Sequence, residues 1–491
     1  MAWIWAVLSA TLLVYLLVGR NNTKRLPPGP RGLPILGHFH LLGKNPHVDL
    51  CHLARKHGPV MGLRFGFVPA VVMSSPAAAE LVLKTHDLIF ASRPRNDAAR
   101  LISYEQRNLV FGPYGAYWRN MRKLCTLQLL SASKINQFEP IRKAEVSLLV
   151  SSLKEGADTV DLSARISTVT GDMNCLMILG RKYSDRDLDV EGFKALFTET
   201  VEVTAQFNIA DYFPYIGNLD LQGLGRKMKR LSKVFDSFLE KIIDDHVRNK
   251  GERKQSEDFV DTMMAIMESG EAEFEFDRRH IKAVLLDLLV AGMDTSATAI
   301  EWAMSELMRH PEVMKKLQQE VESVVGLDQM VEESHLDKLD YLDSVVKETL
   351  RLHPVAPLLI PHESMEDCEL QGFHIPKKSR VMVNVWAMGR DPDIWANADD
   401  FTPERFIGSD IELRGRHFEL IPFGSGRRGC PGLQLGLTVV KLVVAQLVHC
   451  FDWKLPNGMK PGDIDMSEHF GVVTARAKPL IAIPTYRLHV S

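Results

Sequence analysis

The sequence lacks the marks of several whole classes of protein. Its six cysteines, Cys51, Cys125, Cys175, Cys368, Cys430 and Cys450, are scattered singly over 491 residues, and none stands in a CxxC pair. That spacing argues against a zinc site and against a disulfide framework, and it fits a body working in a reducing compartment. Neither sign of charge dominates: 59 Lys and Arg against 62 Asp and Glu leave a net charge of −3, so no nucleic-acid partner is expected. There is no internal repeat and no regular alternation of strand and helix patterns. With 45% hydrophobic and 25% charged residues, the chain has ordinary globular composition and enough apolar material for a large core. The one strongly polar stretch, residues 249–258, reads as a solvated loop within the body.

What is present begins at the N-terminus. Ala2 to Gly19 carries no charge and is built from Trp, Leu, Val, Ile and Ala. As a helix it would be roughly 27 Å long, near the lower limit for crossing a bilayer. A cleaved signal peptide would have a basic start, a shorter apolar run and a small-residue cleavage site, which this segment does not show. Residues 1–20 therefore read as a single-pass anchor. Arg20, Lys24 and Arg25 follow at once, which places the body on the cytosolic side. Residues 21–36 are basic and then proline-rich, with Pro27, Pro28, Pro30 and Pro34, and read as a stiff spacer. Residues 37–491 form the catalytic body. Its texture is mainly helical, with apolar residues at 3.6-residue spacing over Ile281–Met308, Pro311–Val325 and Leu339–Leu352. Strand-like patterns occur at Val60–Met73 and Arg380–Trp386. The expected fold class is one large, mainly α domain with a minor β portion.

The most informative segment runs from Phe423 to Gly432, FGSGRRGCPG, ahead of an apolar helical pattern from Leu433 to Val448. Gly424, Gly426 and Gly429 form a GxGxxG between a strand-like stretch, His417–Phe423, and that helix, as in a dinucleotide-binding turn. A dinucleotide fold also needs repeated parallel βαβ units and an acidic residue about 20 positions on, whereas the surroundings are helical. The other reading centres on Cys430. Glycines let backbone N–H groups approach its sulfur and the following helix directs its positive end at it, and both favour the anion that binds a metal. A structural cysteine in a glycine turn fits this segment equally well when it is taken alone.

Other motifs decide between these readings. Glu348 and Arg351 lie three apart on one helix face, where a plain surface pair is the common case. Pro403-Glu404-Arg405-Phe406 precedes the cysteine segment, and Trp118-Arg119-Asn120-Met121-Arg122-Lys123 lies far upstream. Ala291-Gly-Met-Asp-Thr-Ser296 interrupts an apolar helix with a glycine, a carboxylate and two hydroxyls. Together, and in this order, they resemble the cytochrome P-450 superfamily of haem-thiolate monooxygenases over essentially the whole chain. The proline-rich spacer, Phe90-Ala-Ser-Arg-Pro94 and Phe470-Gly-Val-Val-Thr474 resemble its plant microsomal branch.

The resemblance implies a set of roles. Cys430 would be the axial thiolate of haem b, within a cofactor-binding loop that includes Phe423, Gly426 and Gly432. Glu348, Arg351 and Arg405 would form a buried triad locking the haem core, and Trp118, Arg122 and Arg428 would donate to the propionates. Where related plant enzymes place an arginine after the proline, this chain has His362, which is shorter and only partly charged near neutral pH. The loop around Ile102, the helix face at Leu288 and Ala291, the stretch from Val355 through Leu359 to Ile360, and Val472 to Val473 would face a small apolar substrate. Asp294 and Thr295 would relay protons to the oxygen being reduced. The alternative for Thr295 is a bond back to the carbonyl of Ala291 with a slight helix bend.

The implied function is oxidation of a small hydrophobic specialised metabolite, a terpenoid or phenolic, at the endoplasmic reticulum membrane. It would use dioxygen and NADPH electrons delivered by a separate reductase, with cytochrome b5 as a further donor and Arg427 among the residues meeting an acidic partner. Two other readings keep the haem: an isomerase or dehydratase of peroxides, and a non-enzymatic tethered haem protein. Asp294-Thr295 speaks against the peroxide chemistry, which needs no proton relay.

Overall fold

The computed structural model describes residues 25–155, 159–182, 190–213, 215–249 and 257–489. The expected anchor, Ala2 to Gly19, and most of the polar loop after Asn249 lie outside the described residues.

The helices used below are α1 (Pro46–His57), α2 (Ala116–Leu124), α3 (Glu139–Lys154), α4 (Leu162–Leu179), α5 (Leu224–Arg248), α6 (Arg278–Arg309), α7 (Pro311–Val325), α8 (Asp340–Leu352), α9 (Val385–Gly389) and α10 (Leu433–Cys450). Strands β1 (Val60–Phe65), β2 (Val68–Met73), β4 (His362–Glu363) and β7 (Arg380–Val383) form a mixed sheet in the order β1-β2-β7-β4. Three more sheets are small: β3 (Val160–Asp161) with β11 (Ile481–Tyr486) and β8 (Phe451–Lys454), the hairpin of β5 (Cys368–Leu370) and β6 (Phe373–Ile375), and the hairpin of β9 (Glu468–Phe470) and β10 (Thr474–Arg476). The body is thus mainly helical with a minor β portion.

The spine is α6. It starts at a capping box in which Asp277 accepts from the His280 backbone, and it ends where Pro311 opens α7. Leu285, Leu289, Met293, Ile300 and Leu307 along it are all buried. Helices α6 and α10 are apolar enough to cross a membrane by length and composition, but both are core helices of this body. Two glycine contacts set how closely the spine is approached. A Cβ on Gly292 would lie 2.2 Å from Oδ1 of Asn174 on α4; the Asn174 amide donates to the Leu288 and Leu289 carbonyls at 3.2 and 3.3 Å. A Cβ on Gly436 would stand 4.0 Å from Ser296 Oγ, which marks the crossing of α6 and α10.

Three expectations change. His417–Phe423 is a run of turns and not a strand; Phe418, Leu420 and Ile421 are apolar because each is buried in the core. The Arg380–Trp386 pattern ends as a strand at Val383, because the Asn384 side chain accepts from the Ala387 N–H at 3.0 Å and starts α9. The described part of the proline-rich segment does not stand off as a spacer. It lies on the sheet, with the Pro28 carbonyl accepting from Gly62 N–H at 2.8 Å and Gly29 pressed on the Gly62 carbonyl.

Replacing Gly292 by Ala is expected to lower stability by about 1–3 kcal/mol, the cost of overpacking against Asn174. Urea unfolding of Gly292→Ala beside Gly292→Ala/Asn174→Ala checks it, since the second change restores the space.

Candidate functional site

The loop ahead of α10 is shaped by its glycines. Gly424 and Gly426 adopt φ of +69° and +67°, and a Cβ on Gly426 would meet the Leu83 carbonyl at 2.2 Å. That carbonyl belongs to a π-helical turn, Leu81–Thr85, a local bulge of the kind that re-aims backbone groups. The chain then folds back, Cys430 N–H donating to the Phe423 carbonyl at 2.9 Å. Cys430 is exposed, unlike Cys51, Cys125, Cys175 and Cys450, which are buried. Its thiol is nonetheless pushed up by burial, which outweighs the Gly432 backbone N–H and the Arg122 guanidinium that both pull it down. Backbone and helix, expected to favour the anion, are outweighed here by burial, so the sulfur is open at its surface yet surrounded by protein.

On the facing side, α6 opens in its middle. Leu288, Gly292, Asp294 and Thr295 are half-buried and Ala291 is exposed, between stretches that are fully buried. This open stripe and Cys430 lie within two turns of the Ser296–Gly436 crossing. Thr295 Oγ1 donates to the Ala291 carbonyl at 2.6 Å, the helix-bending bond anticipated for it. The Asp294 carboxyl is raised by burial alone. Val355 and Leu359 are half-buried and Val472 is exposed, whereas Ile102 is buried in the core. Leu359, at φ +49°, approaches Gly424, whose Cβ would lie 3.8 Å from Leu359 Cδ1.

Three arginines gather beside this space. Arg93 and Arg428 are buried and Arg122 is half-buried. Each is oriented by backbone carbonyls: Arg93 on Val110, Ile360 and Pro361, Arg122 on Gly429, and Arg428 on Ala91, Leu109 and Gly112. Burial and mutual repulsion hold Arg93 well below its ordinary value and bring Arg428 to about 9, with Arg122 lowered mainly by burial. Among the described residues no carboxylate forms an ion pair with any of the three.

Two expected donors are placed otherwise. The single N–H of Trp118 is spent on the Leu109 carbonyl at 2.9 Å, and its ring lies under Arg428 at 3.8 Å, so it packs the guanidinium. His362 donates from Nδ1 to the Phe90 carbonyl at 2.8 Å, and burial, then Arg93, hold it well below its usual range. A neutral ring so committed leaves Nε2 as an acceptor, which offers no proton to an anion. The guanidinium beside His362 is that of Arg93, which the sequence offered only inside the Phe90–Pro94 motif.

Glu348 and Arg351 are fully buried and joined by two bonds of 2.7 and 2.8 Å, which removes the surface-pair reading. Arg405 adds a third at 3.0 Å, and Arg351 ties in the Gly389, Ala398 and Asp400 carbonyls. Sequence reasoning also missed Asp287 on α6. Its carboxylate accepts from the Leu109 and Val110 N–H groups at 2.6 and 3.0 Å and from the Asn108 amide, clamping that loop to α6, while burial raises it to about 7. The signal was available: it is a carboxylate in an apolar helical run, as Asp294 is.

The family model for cytochrome P450 matches residues 27–482. At 52% identity over 473 residues, 94% of either chain, the sequence is similar to cytochrome P450 CYP736A12 of Panax ginseng. At 41% identity over 99% of this chain and 98% of the relative, it is similar to flavonoid 3'-monooxygenase CYP75B137 of Crocosmia x crocosmiiflora. Among solved structures, a zebra fish cytochrome P450 bound to progesterone superposes with a TM-score of 0.77 at 25% identity, covering 90% of this chain and 99% of that one. The chain belongs to the cytochrome P450 family and is a monooxygenase of that family. The family's cofactor is haem with a thiolate-bound iron. The residues present fit such a group: a cysteine open at its surface, a gap in an otherwise packed core, and three cations wanting an acidic partner.

Removing Glu348 strands the Arg351 charge, at about 3–5 kcal/mol. Glu348→Ala is expected to yield protein without haem; a haem-to-protein ratio equal to the parent's would separate the triad from the haem core.

Proposed function

We propose that Cys430 carries the iron of haem b and that Arg93, Arg122 and Arg428 receive its two propionates. The enzyme then inserts one atom of dioxygen into a small apolar specialised metabolite. The observation that carries this is the cluster of two buried arginines and a half-buried third without a carboxylate partner among the described residues, with the third bonded to the cysteine loop at Gly429. Bound there, haem supplies dioxygen activation, which electron donation from a thiolate promotes.

The chain's own groups supply the rest. Asp294, whose carboxyl burial pushes up, precedes Thr295 on the open stripe of α6, and the two would relay protons toward the oxygen being reduced. Leu288, Ala291, Val355, Leu359 and Val472 offer aliphatic surface, which suits an apolar ligand. The similarity to a flavonoid 3'-monooxygenase supports a phenolic over a terpenoid substrate.

NADPH electrons come through a separate reductase, with cytochrome b5 as a further donor. Arg427 is taken up by Asp87 at 2.8 Å. The exposed Arg119, in a surface cavity of about 390 Å³ with Arg122, Lys123 and Arg427, supports docking of an acidic partner there. Attachment to the endoplasmic reticulum membrane through residues 1–20 is supported by an exposed apolar patch. Leu33, Leu36, Phe67, Phe207, Tyr215 and Leu219 are all at least 43% exposed, and Phe67 and Tyr215 pack at 5.6 Å between ring centres.

Cys430→Ala is expected to lose the strongly red-shifted Soret band of the reduced carbon monoxide complex; a variant that keeps it has another ligand. Thr295→Ala is expected to keep that band and its substrate-induced spectral shift, yet to divert NADPH oxidation to hydrogen peroxide. Product formed per NADPH at the parent's ratio would leave Thr295 with its Ala291 bond as its whole role.

A further inference from the structure

The hairpin β9–β10 turns at Gly471, Val472 and Val473, and its position is set from behind. Thr474, the first residue of β10, is held at both backbone groups. Its N–H donates to the Val355 carbonyl at 2.9 Å, and its carbonyl accepts from Nε1 of Trp302 at 3.1 Å. Trp302, on α6, is 0% exposed. Its indole lies flat on the His353 ring, centres 4.0 Å apart and planes 3° from parallel. His353 follows α8 and bonds through Nε2 to Glu306 at 2.6 Å, one turn beyond Trp302 on the same helix. Helix α6 therefore grips His353 by a face and an edge, and His353 in turn leaves the indole no freedom to tilt.

The base of the hairpin is tied as well. Arg476 lies 3.7 Å from Glu301 and 5.7 Å from the Trp302 ring, and Glu468 accepts from His47 at 2.7 Å and Trp386 at 3.2 Å. Helix α6, the stretch that begins at Val355 and the Val472 tip thus meet at the two backbone bonds of Thr474.

We propose that Trp302 is a specificity-determining positioning residue. Its indole N–H, immobilised against His353, fixes the tip 471–473 through Thr474 and so sets the bulk of ligand that the pocket accepts. Trp302 lies behind the pocket wall and acts only through Thr474. This rests on the reading that haem sits over Cys430 with the tip above it.

Trp302→Phe keeps a flat ring against His353 and deletes the donor together with half of the indole, leaving the Thr474 carbonyl buried without it. The test uses the holoenzyme with imidazole and 4-phenylimidazole as probes, titrated by their Soret shifts; the first reports iron access and the second also reports the wall. Trp302→Phe is expected to keep its haem content and imidazole affinity, while the preference for 4-phenylimidazole over imidazole falls about 3- to 10-fold, the equivalent of one hydrogen bond. The same loss is expected from Val472→Ala, with the two changes less than additive in the double variant. An unchanged preference, strict additivity, or loss of haem from Trp302→Phe overturns the proposal. Absence of any imidazole shift in the parent instead removes the haem placement itself.

Discussion

A buried positive charge without an acid beside it is expensive, and Arg93, Arg122 and Arg428 bring three together. Backbone carbonyls orient them and relieve part of the cost, but carbonyl dipoles do not cancel net charge. Arg93 follows the main sheet, Arg122 sits on α2 and Arg428 in the cysteine loop, so the strain is shared by segments more than 300 residues apart in sequence. An anion received between them, as proposed, would join those segments. Glu348, Arg351 and Arg405 show a different solution: one carboxylate bonded to both guanidinium groups offsets one of the two charges within the protein, and Arg405 keeps partial contact with solvent.

Helix α6 carries the second constraint. It is packed by other elements over most of its length, so each departure from apolar helix has a specific neighbour. Gly292 makes room for Asn174, Asp287 receives the loop after Asn108, and Ser296 faces Gly436. Leu288, Ala291, Asp294 and Thr295 are left toward the open space, while Gly292 is spent on helix packing.

The long elements were legible because burial imposes period on a sequence. Pro311–Val325 is helical to the residue, and Asp340–Leu352 falls one short of its periodic run. Where apolar residues were buried without regular structure, as at Phe418 to Ile421, the same period misled. The Glu348–Arg351 pair was legible because its members stand three apart on one helix, whereas Arg405 joins them from a distant segment and came only with the resemblance. Arg93, Asp287 and the actual duty of Trp118 were not legible. Each depends on a backbone carbonyl or N–H brought in from another element, and backbone groups carry no residue identity that a sequence displays.

The exposed cysteine differs in reactivity from a free thiol. Burial outweighs the Gly432 N–H and Arg122 and pushes its thiol up, and a thiol so shifted is a poor nucleophile toward disulfides and peroxides. A cation at the sulfur would tip the same balance the other way, because coordination takes the proton off.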